Sequence, residues 1–139
     1  MLTEQELEQV ERTISDVEQR TSGEIRVHID SFCKIDPYQR GVDIFHELRM
    51  NETQERNGVL IYIDFTHRKF AIVGDEGIHK KVGEEFWENA KAELLNEFKN
   101  SNFSIGVCNS VMVLGEKLAE YFPNSDSDFN ELSNKVTTG

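Results

Sequence analysis

Apolar residues along this chain follow two periods, and each change of period marks an element boundary. Leu7, Val10, Ile14 and Val17 recur at helical spacing in an otherwise polar stretch, which predicts an amphipathic helix with one buried stripe. Thr3 and Glu6 are spaced as a capping box ahead of it, and Gly23 is placed to end it. The period then becomes two. Ile25, Val27 and Ile29 alternate with Glu24, Arg26, His28 and Asp30, predicting a strand with one buried face. Asp36-Pro37 opens a second helix, since proline suits the first helical position, with Val42, Phe45, Leu48 and Met50 on its buried side.

After a polar loop from Asn51 to Asn57, the run Val59 to Phe65 is almost continuously apolar, as in a strand covered on both faces. Only Thr66-His67-Arg68 separates it from a second run, Lys69 to Val73. So short a link permits an antiparallel hairpin and no parallel crossover. Gly74-Asp75-Glu76-Gly77 stops that strand. Phe86, Trp87, Ala90, Leu94 and Phe98 then mark one long helix, and Val107, Val111, Leu114, Leu118 and Phe122 another, halted by Pro123. The polar remainder, 124–139, is expected to be a mobile end or a short helix carrying Phe129, Leu132 and Val136.

The order helix, strand, helix, strand, strand, helix, helix predicts one α/β domain over 1–123, a three-layer αβα sandwich with a small mixed β-sheet flanked by helices. A right-handed unit joins the first strand to the second in parallel. The starts of strands one and two therefore share an edge with the end of strand three. Glu24, Asn57, Asp75 and Glu76 should meet there, while Asp30 and Asp64 fall at the opposite edge.

Carboxylates with an amide oxygen are hard ligands suited to Ca²⁺ or Mg²⁺. The same residues could instead hold one carboxyl protonated as a general acid, because like charges resist joint ionisation. The plain alternative is that they are solvated or paired with Arg56. Gly74 and Gly77 would allow tight turns, and the amides near Gly77, with His79, are a candidate anion or proton contact.

Composition narrows the partners. Against 15 basic residues stand 26 acidic ones, a formal charge of −11 over 139 residues. Such a field repels nucleic acid and anionic membrane surfaces and attracts cations. The start of the chain has no basic, apolar leader, no apolar run approaches the length of a membrane span, and Cys33 and Cys108 show no paired spacing. A cytoplasmic domain is expected. Nucleophile patterns are missing. The sixth residue after Cys33 is Gln39 and after Cys108 it is Leu114, where a cysteine-loop phosphatase needs arginine. No phosphate-cradling loop occurs. Asn124 to Lys135 fails as a calcium loop, with Phe129 in the glycine place. The four histidines are scattered.

Three stretches together resemble the TPM domain family. They are Thr21-Ser22-Gly23-Glu24-Ile25-Arg26-Val27, Arg56-Asn57-Gly58-Val59-Leu60-Ile61-Tyr62, and Arg68 to Ile78. Phe86-Trp87, Phe103 to Gly106 and Tyr121-Phe122-Pro123 are similar to its short bacterial members. The resemblance implies an αβα sandwich, divalent-cation binding by some members, and a phosphatase label taken from plant lumenal members. By position, the family's acidic pocket corresponds to Glu24, Asn57, Asp75 and Glu76. The expected functions are thus cation binding, a metal-dependent phosphatase-like reaction on a phosphorylated small molecule, or docking of a protein partner.

Overall fold

The computed structural model describes residues 2–99, 103–124 and 136–139, apart from the side chain of Phe98. Helix α1 spans Glu4–Glu18, behind the expected capping box: the Glu6 amide donates to Thr3 Oγ1 at 3.1 Å and the Thr3 amide to Glu6 Oε1 at 2.9 Å. It ends five residues before Gly23, at Glu18. Strand β1 is Glu24–Asp30, α2 is Pro37–Glu47, β2 is Gly58–Asp64 and β3 is Lys69–Gly74. A short helix α3, Glu76–His79, follows, then α4, Glu84–Lys99, and α5, Phe103–Tyr121. Met50 does not extend α2. Arg49 takes a left-handed backbone (φ 59°), which breaks the helix and starts a 3₁₀ turn at Met50–Glu52.

β1 and β2 are parallel, from Glu24 opposite Gly58 to Asp30 opposite Asp64. β2 and β3 are antiparallel, from Val59 opposite Gly74 to Asp64 opposite Lys69. A fourth strand, β4 (Thr137–Thr138), lies parallel to β1, giving the order β3-β2-β1-β4. The expected mobile or helical end is therefore corrected at its last residues, which join the sheet. Val136, before β4, is non-helical and packs on the core. Phe129 and Leu132 lie outside the described residues.

The sheet separates two cores. One face presents Ile25, Val27, Ile29, Val59, Ile61, Ile63 and Ile72 to α1, α4 and α5. The other presents Leu60 and Val73 to Ile44, Phe45 and Met50 around α2. Alternation along each strand sends neighbours to opposite layers. Fully burying one such side chain contributes roughly 1.5–3 kcal/mol.

β1 departs from its expected half-exposure, for all seven residues are buried. Its polar side is covered because Arg40 of α2 reaches Asp30, Thr137 of β4 reaches His28, and the Tyr62 ring stacks on His28. Asp30 accepts from the Tyr62 hydroxyl at 2.7 Å, from Arg40 Nε at 3.0 Å and from His28 Nε2 at 2.8 Å. Burial opposes the Asp30 charge, but these donors outweigh it and hold the carboxyl below its usual range.

Candidate functional site

The edge where β1 and β2 start and β3 ends gathers backbone as expected. The Glu24 amide donates to the Asn57 carbonyl at 3.3 Å, and the Asp75 amide to the Gly58 carbonyl at 3.0 Å. The side chains, however, divide into three neighbouring groups.

The first is an ion pair. Arg56 Nε donates to Asp75 Oδ2 at 2.8 Å and its NH2 group to Oδ1 at 2.9 Å, a bidentate fork. Arg56 NH1 also reaches Glu76 Oε1 at 3.3 Å. Asp75 Oδ1 accepts the Glu76 amide at 2.8 Å, capping α3. The Asp75 side chain is 5% exposed, that of Arg56 40% and that of Glu76 58%. The carboxylate raises the Arg56 pKa above its ordinary value, so the guanidinium charge is fixed.

The second group is neutral. Asn57 Nδ2 donates to Ser22 Oγ at 3.2 Å, the Thr53 hydroxyl to Asn57 Oδ1 at 3.3 Å, and Ser22 Oγ to the exposed Glu55 carboxylate. This network closes the loop from the 3₁₀ turn to β2 and leaves Asn57 almost wholly buried.

The third group engages Glu24. Its carboxyl hydrogen-bonds Glu18, at the end of α1, with Arg26 close by. Glu18 Oε2 also accepts the Ile25 amide at 2.9 Å, at a point on β1 that the short β4 does not reach. Burial first, then the bond and charge of Glu24, push the Glu18 carboxyl up to about 9. A carboxyl raised by a like neighbour was the alternative for Glu24, Asp75 and Glu76; the raised carboxyl is that of Glu18, which no spacing motif marks, and Glu24 is its neighbour. Burial also lowers the Arg26 pKa, and Arg26 Nε lies buried with no hydrogen-bond partner among the described residues.

The backbone near Gly77 is already used. Its amide donates to the Arg56 carbonyl at 2.9 Å. A Cβ on Gly77 would lie 2.1 Å from the Glu55 carbonyl oxygen, and Gly74 would meet Trp87 at the same distance. Neither glycine has a positive φ, so they provide close approach rather than the expected tight turns. The left-handed residue here is Arg56, with φ 52°. The His79 amide donates to the Asp75 carbonyl, and its ring lies 5.1 Å from that of Trp87.

Among the described residues, no group of three or more histidine, cysteine, aspartate or glutamate side chains is placed to hold a metal ion. As arranged, the Asp75 oxygens are spent on Arg56 and the α3 cap, so they present no open cation site. Nor, among the described residues, is any helix long and apolar enough to cross a membrane.

The structure superposes on BA42 from the psychrophilic bacterium Bizionia argentinensis with a TM-score of 0.95 and 39% identity, over 100% of this chain and 96% of that one. Two other solved structures share the fold. The N-terminal domain of cg2496 from Corynebacterium glutamicum has a TM-score of 0.68 at 12% identity, over 94% of this chain and 82% of that one. The N-terminal domain of a P. gingivalis protein has 0.69 at 13% identity, over 87% and 78%. No curated protein matches. The TPM domain matches residues 1–117, most of the chain; with the four-stranded sheet between its two helical layers, this protein belongs to the TPM domain family.

Proposed function

We propose that this TPM domain binds a divalent cation, Ca²⁺ or Mg²⁺, at the edge formed by Glu24, Asn57, Asp75 and Glu76, and that Arg56 is the ion's built-in competitor. The observation that carries the reading is the Arg56–Asp75 fork. A nearly buried carboxylate requires a positive charge beside it, and here the charge comes from a half-exposed side chain that can move into water. Its departure leaves Asp75 and Glu76 as hard oxygen ligands, with the exposed Glu55 carboxylate nearby. The formal charge of −11 favours cation approach. Glu24, engaged with Glu18, adds to the field rather than to the first ligands. Cys33 and Cys108 are both free thiols, which supports the cytoplasm as the place of action.

Calcium titration of the labelled protein should shift amides at 55–57 and 75–77. Arg56→Gln should bind the ion more tightly than the parent. Absence of shifts in both proteins at millimolar metal would end this reading.

A second reading, a metal-dependent phosphatase-like hydrolase on the same edge, is favoured by one feature. Arg56, Lys80 and Lys81 line a hollow of about 290 Å³ together with Glu55 and Glu76, so a phosphorylated small molecule would find cations there. Full phosphatase activity in Glu24→Gln and Asp75→Asn would place any activity elsewhere. The third expectation is that this same edge, or the segment 124–139, docks a protein partner.

A further inference from the structure

We propose that the outer edge of β3 is a docking groove for an extended acidic peptide, which would add to the sheet as a further strand. Among the described residues β3 pairs only with β2, so one side of it carries no strand. The Asp75 amide donates to the Gly58 carbonyl. Strand alternation then turns the backbone groups of Ala71 and Val73 toward β2 and those of Ile72 outward. An outward-facing amide and carbonyl are the template for strand addition.

The flanks of that edge form a groove of about 540 Å³. Pro37 and Tyr38 stand on the α2 side, Lys91 and Leu95 on the α4 side, and Arg68 and Lys69 at the mouth. Tyr38 and Leu95 are each 52% exposed, large apolar side chains on opposite layers of the sandwich. An added strand sends alternate side chains to opposite faces, so one set would meet Tyr38 and the other Leu95. Trp87 lies against Gly74, which confines the docked strand to the Lys69–Ile72 end.

Charge selects the occupant. In a chain of formal charge −11 this groove holds three basic residues, Arg68, Lys69 and Lys91, and one acid, Asp36. The Asp36 carboxylate is occupied in capping α2 through the Gln39 amide. Lys91 lies 3.7 Å from Glu88. Arg68 and Lys69 have no carboxylate within ion-pair distance among the described residues. The Arg68 guanidinium lies over the Phe103 ring at 4.8 Å, a placement that holds the group steady while its N–H donors stay available. Two such basic edges repel each other, which disfavours a second copy of this chain and favours an acidic strand.

The test uses the full chain, isotope-labelled, titrated with a short blocked peptide of alternating valine and glutamate. The largest shifts should fall at 69–72 and near Leu95, with slower exchange of the Ile72 amide. The same peptide methylated on alternate backbone nitrogens should bind at least about tenfold more weakly, since strand addition depends on main-chain hydrogen bonds. Because Arg68 and Lys69 are exposed, the double variant R68E/K69E should fold, and it should now prefer a valine–lysine peptide. The proposal is overturned by shifts that fall elsewhere, by equal binding of the methylated peptide, or by unchanged charge preference in the variant. Dilution-dependent shifts at 69–72 without peptide would likewise overturn it, assigning the edge to a second copy.

Discussion

The carboxyl of Glu18, at the last turn of α1, hydrogen-bonds the carboxyl of Glu24 at the first residue of β1. Both are buried, and two carboxylates in such a place cannot both stay ionised. With Glu18 pushed up to about 9 from an ordinary 4.5, the folded protein keeps a proton that the unfolded chain releases. The folded form binds more protons throughout that window. Stability contributed by the pair is therefore full at the acid side of 4.5 and declines as pH rises toward about 9.

Replacing Glu18 with glutamine removes the titration and keeps both an acceptor for the Ile25 amide and a donor for Glu24. The Tm of Glu18→Gln should fall less than that of the parent between mildly acidic and alkaline pH, and the gap should widen with each step upward. Parallel pH profiles from thermal melts would show that the pair holds no shared proton.

Arg56 and Asp75 make an asymmetric pair, and removing each partner should have a different effect. Without Arg56, the Asp75 carboxylate stays nearly buried and loses its counter-charge. Without the Asp75 charge, the half-exposed Arg56 side chain turns to solvent. Burying an unpaired charge is the costlier outcome, so Arg56→Ala should lower the Tm more than Asp75→Asn does. Asparagine also keeps an oxygen to cap the Glu76 amide. Addition of calcium should then restore part of the lost Tm in Arg56→Ala alone. Equal losses in the two variants would show that the guanidinium is not what keeps Asp75 charged.

Much of the fold was legible because burial is written into residue spacing. The Val59 to Phe65 run announced a strand covered on both faces, and Thr66-His67-Arg68 left no path except reversal. That reversal brings the Asp75 backbone beside Gly58, and Gly58 beside Glu24. The direction of side chains at the strand ends was not legible. Glu24 belongs to the polar half of an alternating strand, and no local pattern reveals that it turns toward α1 to meet Glu18. Arg56 could be suspected as a partner only from its nearness in sequence. β4 was hidden for another reason. Two threonines cannot show a period, and their place is set by β1 residues more than a hundred positions away.

The burial of β1's polar side supplies the last prediction. Tyr62 is fully buried and donates its hydroxyl to Asp30 Oδ2, the oxygen that Arg40 also reaches. Burial first, and then the hydrogen bonds with Cys33 and Asp30, raise the Tyr62 pKa, so the hydroxyl stays protonated and able to donate. In Tyr62→Phe, Asp30 keeps Arg40 and His28 but loses its closest donor. A hydrogen bond to a charged group contributes about 1.5–3 kcal/mol, and denaturant unfolding near neutral pH should show a loss in that range. The pH dependence has the opposite sign to that of Glu18. A carboxyl held below its ordinary 3.8 stabilises the fold above that value and loses the contribution as pH falls through the folded value. With one donor gone the folded pKa moves back upward, so acid unfolding of Tyr62→Phe should begin at a higher pH than in the parent. A loss of stability equal at all pH values would mean that Tyr62 supports the sheet by packing alone.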